Sequence, residues 1–546
     1  MVNDAWEFRE FQGHNDTAKI TCDGSITPHP NGNILRLNFA ASDLPLDDEV
    51  RLALPTKSQA LWNQLRPNGQ LDLLAATIEK VGSDKPDVTV IIQEKPAPQN
   101  SLAPALSIHP VAFPYRVDQL TGIAQFKDGK FNFERLRGEH GRTGVHIASG
   151  NGFATPDGAW QVQLNSLSLD QLNIDHDLLA AVPARLNRQL IQSRIEGLFS
   201  LQGSMAFAGN RNQPRNIRSS WDLAIDLDDT SLYAGTNAEH ISGTLRLNGG
   251  SNVNEFYSQG FLEVDSLIVK GVHVTQLRGP IWIDPNRVLF GRWSEPRGSN
   301  KAPMQIAARV HGGEVTCDGQ IQLADQGQFQ LQLQIKDAIT NELIKSVSRN
   351  QNSSGIAQTS IAPKIEGKMS ANVALSGTRQ GRHTLQGTGV ARLTDANLYE
   401  LPFILSLIRT IRSGSVDRTA FDESDIQFRI QGEHVTFDKL DLLGDGIALK
   451  GVGEMNGRQD LNLDFYTIIG KRNTYLNSIR PVLGIASNRF LQIHVTGPVS
   501  DPIMTREVLP GLNDTLRQLF PEIAATADTR SPQEMRIRPG GRTLQR

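Results

Sequence analysis

The chain has 546 residues, with 55 Lys plus Arg against 58 Asp plus Glu, giving a net charge of −3. That balance lacks the basic footprint of a nucleic-acid-binding domain, so no nucleic-acid partner is expected. The AVILMFWYC residues make up 38%, and 48 glycines raise the apolar share to about 47%, which excludes disorder or a collagen repeat for the chain as a whole.

The N-terminus, Met1 to Glu10, carries neither a positive region nor an apolar core, so no signal peptide is predicted. No apolar run reaches the ~18–20 residues of a membrane span; the longest, Leu401 to Ile408, contains Ser406 and runs into Arg409. The dominant pattern has period two. Trp160, Val162 and Leu164 alternate with polar residues, as do Phe329, Leu331, Leu333 and Ile335, then Leu461, Leu463 and Phe465, then Leu491, Ile493 and Val495. Each run places apolar side chains on one face of a strand and polar ones on the other, the signature of antiparallel sheets with one wet face. Asp128-Gly129, Asp157-Gly158, Asp445-Gly446 and Asn456-Gly457 supply hairpin turns between runs. The predicted fold is mainly β: a long curved antiparallel sheet forming an elongated hydrophobic groove, with a few short amphipathic helices. A strand share of about 60% in strands of about ten residues gives roughly thirty strands.

In chain order, residues 1–94 form an N-terminal β-rich segment with short helices, one of them over Ser58 to Leu65. Residues 95–106 are Pro/Ala/Asn-rich and are read as a linker. Residues 107–348 form a repeating β-groove with a helical insert near 178–195, and Ala338 to Val347 is read as a short helix. Residues 349–364 are read as a mobile polar loop, 365–522 as a C-terminal β module with helices at Leu401 to Ile411 and Leu509 to Phe520, and 523–546 as a disordered basic tail. Repeats show at two scales. Ile20-Thr-Cys-Asp-Gly-Ser-Ile26 and Val315-Thr-Cys-Asp-Gly-Gln-Ile321 are near copies, which places Cys22 and Cys317 at equivalent positions and predicts free thiols. A longer unit around Gly122 to Leu169 has a counterpart from Phe428 to Phe465.

The search for chemistry returns little. Nucleophile-elbow, P-loop, zinc-protease and C-x-x-C motifs are all missing, so no enzyme, cofactor or metal is expected. Gly387-Thr-Gly389 and Gly451-Val-Gly453 lack a third glycine and are read as strand kinks or bulges. His140 and His146 are read as a solvated turn and an exposed strand residue; of the cluster Asp222, Asp226, Asp228 and Asp229, the residues Asp222, Asp226 and Asp228 are read as a wet strand face opposite Leu223, Ile225 and Leu227. Trp221, Trp282 and Trp293 are read as packing, with a ligand surface as the alternative.

The stretch Gly387-Thr-Gly-Val-Ala-Arg-Leu-Thr-Asp-Ala-Asn-Leu-Tyr-Glu-Leu-Pro402, followed by Phe421-Asp, Phe428-x-Ile430, Leu442-Leu-Gly444, Gly451-x-Gly453, Leu461-x-Leu463-x-Phe465 and Val495-Thr-Gly-Pro-Val-Ser-Asp-Pro502, resembles the C-terminal module of AsmA-like proteins, the group that includes the TamB and YhdP lineages. Leu44 to Leu54 resembles that group's short helical insert. The resemblance covers residues 365–522 best. It implies a repeating β-groove that carries phospholipid acyl chains between the inner and outer membranes of diderm bacteria, with membranes or membrane proteins at its ends and no catalytic residues. It further implies a periplasmic location with an inner-membrane tether absent from this chain; the start inside a strand-like pattern points to missing upstream residues. The inward alternates Phe131, Phe133, Leu331, Leu333, Ile335, Phe428, Ile430, Leu461, Leu463 and Phe465 are the candidate lining. Two other readings stay open: a periplasmic scaffold or assembly factor with a dry sheet, and a carbohydrate-active parallel β-solenoid using Asp226 and Asp228.

Overall fold

Alternating apolar and polar residues, punctuated by Gly and Asp turns, give 26 strands in a single antiparallel sheet among the described residues, of which 70% are in strands and 10% helical. The computed structural model describes all residues except 1–4, 55, 96–103, 112, 156, 183, 234–236, 254, 295–302, 324–326, 344–366, 397–420, 445–446, 470–490, 500–501 and 509–546. The helices expected at Leu401 to Ile411 and Leu509 to Phe520, the 349–364 loop and the 523–546 tail therefore lie outside the described residues. Every strand pairing among the described residues is antiparallel, which overturns the parallel-solenoid reading.

The chain divides into two compact units. The first is residues 1–234, 239–264 and 282–285, and the second is residues 235–238, 265–281 and 286–546. The division falls inside the 107–348 segment that the sequence reads as one piece. In the first unit, β1 (Trp6–Asn15), β2 (Ala18–Thr27), β3 (Ile34–Pro45), β4 (Gln70–Val81), β5 (Asp87–Glu94), β6 (Asp118–Lys127), β7 (Lys130–His140), β8 (Thr143–Ala154), β9 (Ala159–Leu172), β10 (Glu196–Asn210) and β11 (Gln213–Tyr233) form a meander in which each strand pairs with the next. Because direction reverses at every step, odd-to-even connections leave at one rim and even-to-odd connections at the other. The long ones, 46–69, 95–117 and 173–195, are all odd-to-even. They carry α1 (Asp48–Ala53), α2 (Thr56–Leu65), α3 (His176–Ala181) and α4 (Ala184–Ser193). Asp47 and Asp175 cap α1 and α3, their carboxylates accepting from the Val50 and Leu178 N–H at 2.9 and 2.8 Å. The single helix expected over 178–195 is thus two, parted at Val182, which is extended and precedes Pro183.

In chain order β11 is followed by β12 (Asn237–Ser251), β13 (Phe256–Val269) and β14 (Val272–Ile283). In the second unit β15 (Arg287–Phe290) and β16 (Ile306–Val310) lie end to end along β17 (Gly313–Gln322). The meander continues through β18 (Phe329–Ile339), β19 (Lys368–Gly377), β20 (Gln386–Thr394), β21 (Glu423–Gln431), β22 (His434–Leu443), β23 (Ile447–Met455), β24 (Asp460–Ile469), β25 (Leu491–Pro498) and β26 (Ile503–Val508). The helix expected at Ala338 to Val347 begins only at Thr340. Asp337 takes a left-handed conformation (φ 56°), a bulge shifts the register, and Ala338 and Ile339 stay in β18 opposite Met369 and Lys368.

The Cys-Asp-Gly repeat is a structural unit. In both copies the aspartate carboxylate accepts a backbone N–H where the preceding strand departs from regular pairing: Glu10 N–H to Asp23 and Arg292 N–H to Asp318, each at 2.7 Å. In the first copy the departure is a bulge at Glu10 (φ 56°). In the second it is the gap between β15 and β16. The following glycine seats a phenylalanine ring in both, Phe8 on Gly24 and Phe290 on Gly319. Cys22 and Cys317 are free thiols, and burial pushes Cys317 up to about 11, so neither is primed as a nucleophile.

The same aromatic-on-glycine contact recurs through the sheet: Phe131 on Gly152, Phe133 on Gly150, Phe428 on Gly389 and Phe465 on Gly451. The pairs Gly387/Gly389 and Gly451/Gly453, expected as kinks, thus include two ring seats. At Gly451 a Cβ would meet the Phe465 ring at 2.5 Å, so only glycine lets the ring lie flat across the neighbouring strand. At Gly150 an added Cβ would also lie 2.7 Å from the Gln163 carbonyl, whereas at Gly13 it meets nothing within 4 Å. Gly150→Ala should therefore cost about 1–3 kcal/mol and Gly13→Ala stay within about 0.5 kcal/mol of the parent, as read from urea denaturation midpoints.

Candidate functional site

Register turns the alternation of single strands into rows that cross the sheet. In the first unit one row runs Phe11, Cys22, Phe39, Ala76, Val90, Phe126, Phe131, Gly152, Val162, Phe207, each opposite the next on the neighbouring strand. A second runs Ile20, Ala41, Leu74, Ile92, Ala124, Phe133, Gly150, Leu164, Met205, Trp221. The intervening positions are mostly polar: Thr21, Asn38, Thr77, Thr89, Gln125, Asn132, Asn151 and Gln163. The sheet therefore has one continuous oily face over ten strands, and most of its side chains, Phe39, Val90, Phe126, Phe131, Val162 and Phe207 among them, are only half-buried.

The second unit repeats the construction. Its rows include Cys317, Leu333, Val373, Gly389, Phe428, Phe437, Gly453, Leu463, Val495; and Val315, Ile335, Ala371, Ala391, Ile426, Leu440, Gly451, Phe465, Ile493; and Gly319, Leu331, Leu375, Gly387, Ile430, Val435, Met455, Leu461. The eight lining candidates of this unit thus fall on one face in three rows, and Phe131 and Phe133 sit in the two rows of the first unit.

Their surroundings differ. Leu331, Leu333, Ile335, Phe428 and Ile430 are half-buried, like Phe131. Leu461, Leu463 and Phe465 are buried, Phe465 at 0% exposure, in a core with Phe421, Leu440, Leu442, Leu449, Ile493 and Val495. Phe133 is also buried, its ring taken up by Gly150. These four side chains serve as packing and present no free surface.

Other singled-out residues are structural. His140 and His146 do not share a site: His146 lies opposite Arg137 and Ser168, while the His140 Nδ1 is 2.8 Å from the Arg116 carbonyl and its Nε2 3.2 and 3.6 Å from the Asp175 and Asp177 carboxylates. Asp226 accepts from Thr244 and Gln202 at 2.8 and 3.1 Å. Trp221 packs near Phe256 and donates to Ser258 at 3.3 Å, and Trp282 stacks on Tyr257. On the wet face of the second unit, Lys439 bonds Asp425 at 2.7 Å and lies 3.6 Å from Asp441. Burial opposes the charge on Lys439, yet these two carboxylates raise its pKa, and burial raises that of Asp441. Among the described residues no cluster of three His, Cys, Asp or Glu could hold a metal ion, and no helix is long and apolar enough to cross a membrane.

Sequence reasoning missed Glu94. It follows Val88, Val90 and Ile92 in alternation, which puts a carboxyl on the oily face at the end of β5, opposite Gly122. Burial pushes its pKa up to about 7, helped by the charge of Asp72 and partly opposed by the hydrogen bond it accepts from the Asp72 N–H at 2.9 Å. The available signal was a glutamate in phase with an apolar run.

No protein-family model and no curated protein matches the chain.

The folded state holds the Glu94 proton more tightly than the unfolded chain. Its contribution to stability is complete below about pH 4.5 and is lost as pH rises towards 7. Glu94→Gln, which keeps an acceptor and cannot ionise, should remove that part of the decline when urea midpoints of both proteins are compared from pH 4.5 to 8.

Proposed function

We propose that this is a non-enzymatic cell-envelope protein that binds phospholipid acyl chains on the oily face of its sheet and conducts them between the inner and outer membranes, in the manner of the AsmA-like group it resembles. The observation that carries the reading is the run of register-matched apolar rows over ten consecutive strands, most of whose side chains stay half-buried. A sheet face of that composition must be covered, and a contiguous apolar surface of this extent marks a binding site. An acyl chain suits it: extended, apolar and without polar groups to satisfy. The wet opposite face, rich in Gln, Asn and Thr, fits an aqueous compartment such as the periplasm.

The scaffold reading draws on one observation, the fully buried face around Phe465 and Ile493. Packing of that kind leaves no space for a guest in this part of the second unit, so acyl binding is assigned to the half-buried stretches.

Leu333→Asp puts a charge in a half-buried row without emptying a core, and should at least halve the phospholipid that co-purifies, measured by mass spectrometry of extracts. Gln332→Asp, one residue along on the opposite face, should leave it unchanged. Equal lipid in both folded variants, or none in the parent, contradicts the reading and favours the dry scaffold. Leu463→Asp is unsuited to this test: it buries a charge in the core and should destabilise the fold by several kcal/mol.

A further inference from the structure

The described part of the connection between β5 and β6, which the sequence presents as a linker up to residue 106, packs on the oily face of the first unit. Leu106 is buried among Ala18, Ala41, Leu44 and Leu71 of β2, β3 and β4, and Ser107 and Ile108 make isolated bridges to Asn68 and Val117. Farther along, the His109 and Val111 N–H groups donate to the Leu65 and Gln64 carbonyls at the end of α2, both at 2.8 Å. The Phe113 ring then lies 6.4 Å from that of Phe207 in β10 and 6.0 Å from that of Tyr115. Tyr115 is buried and its ring lies 4.2 Å from His140, which is held by Asp175 at the cap of α3. The strap therefore touches β2–β4 at its start and β10 at its middle.

Phe207 belongs to the first oily row, so Phe113 stands on the surface that an acyl chain would follow. The two ends of the strap are secured by buried side chains, Leu106 at one and Tyr115 and Val117 at the other. Its middle is not: Val111 is exposed, Phe113 is half-buried, and two backbone hydrogen bonds tie it to α2. A segment with firm ends and a lightly packed middle opens locally at low cost. We infer that the described strap residues 104–111 and 113–117 form a gate on the oily face, with Phe113 occupying the place beside Phe207 that an acyl guest takes when it enters. This rests on the acyl-binding reading and adds a competing internal side chain to it. Removing that competitor strengthens binding, whereas removing a lining side chain weakens it, so the sign of the effect separates a gate from a wall.

The test is a fluorescence titration of the full chain with a pyrene-labelled fatty acid, comparing the parent with Phe113→Ala. Binding should tighten about threefold to tenfold, as expected when less than ~1.4 kcal/mol of competition is relieved. Unchanged or weaker binding by a folded Phe113→Ala protein overturns the gate. If Phe113→Ala does not fold, Phe113→Leu keeps an apolar side chain and should tighten binding in the same direction by a smaller factor; unchanged or weaker binding there overturns the gate equally. Binding by the variant but not the parent supports the gate, while no binding by either protein defeats the acyl-binding reading along with it.

Discussion

The structure depends on register. In a sheet whose strands alternate with period two, a slip of one residue moves every apolar side chain to the opposite face. This protein keeps the same phase through ten successive pairings in its first unit, and again from β17 to β25. The aromatic-on-glycine contacts help to hold it: a ring such as Phe465 lies across the next strand only where that strand offers a glycine, and one residue either way from Gly451 stand Lys450 and Val452. The bulge anchored by Asp23 and the strand break anchored by Asp318 act alongside them by absorbing local irregularity without passing it to the next strand.

Register explains why one construction yields two environments. Where three bulky rows meet and a core forms around Phe421, Leu449 and Phe465, the oily face is filled by the protein's own side chains. In the first unit, where small residues such as Ala76 and Ala124 interrupt the rows, Phe39, Val90 and Phe126 stay half-buried. The half-buried apolar area of the first unit is shared with the carboxyl of Glu94 and with the strap that bears Phe113.

Much of this was legible in the sequence. Alternation in Phe329 to Ile335 and Leu461 to Phe465 gave the strand type and the face, Asp-Gly and Asn-Gly pairs gave the hairpins, and the twin Thr-Cys-Asp-Gly segments turned out to share hydrogen bonds and ring seats as well as letters. What escaped were consequences of pairing between distant segments. Nothing local to Gly150 says that Phe133 will lie on it. Leu106 follows a Pro-rich run and reads as linker until β2, β3 and β4 close around it. Ala338 and Ile339 match a helical spacing, but the bulge at Asp337 keeps them in β18. Leu463 and Leu333 have the same alternating neighbours, and only the packing above each face separates a core residue from an available one.

The central claim, that the half-buried oily face holds a guest, is most directly tested by photo-crosslinking. Purified full-length protein would be incubated with a phospholipid carrying a diazirine in its acyl chain, irradiated, and mapped by peptide mass spectrometry. The account predicts adducts on row residues such as Phe39, Val90, Phe126 and Leu333, and none on their wet-face neighbours Asn38, Thr89, Gln125 and Gln332. Adducts spread equally over both faces, or none above the level of a protein with no lipid-binding activity, would contradict it.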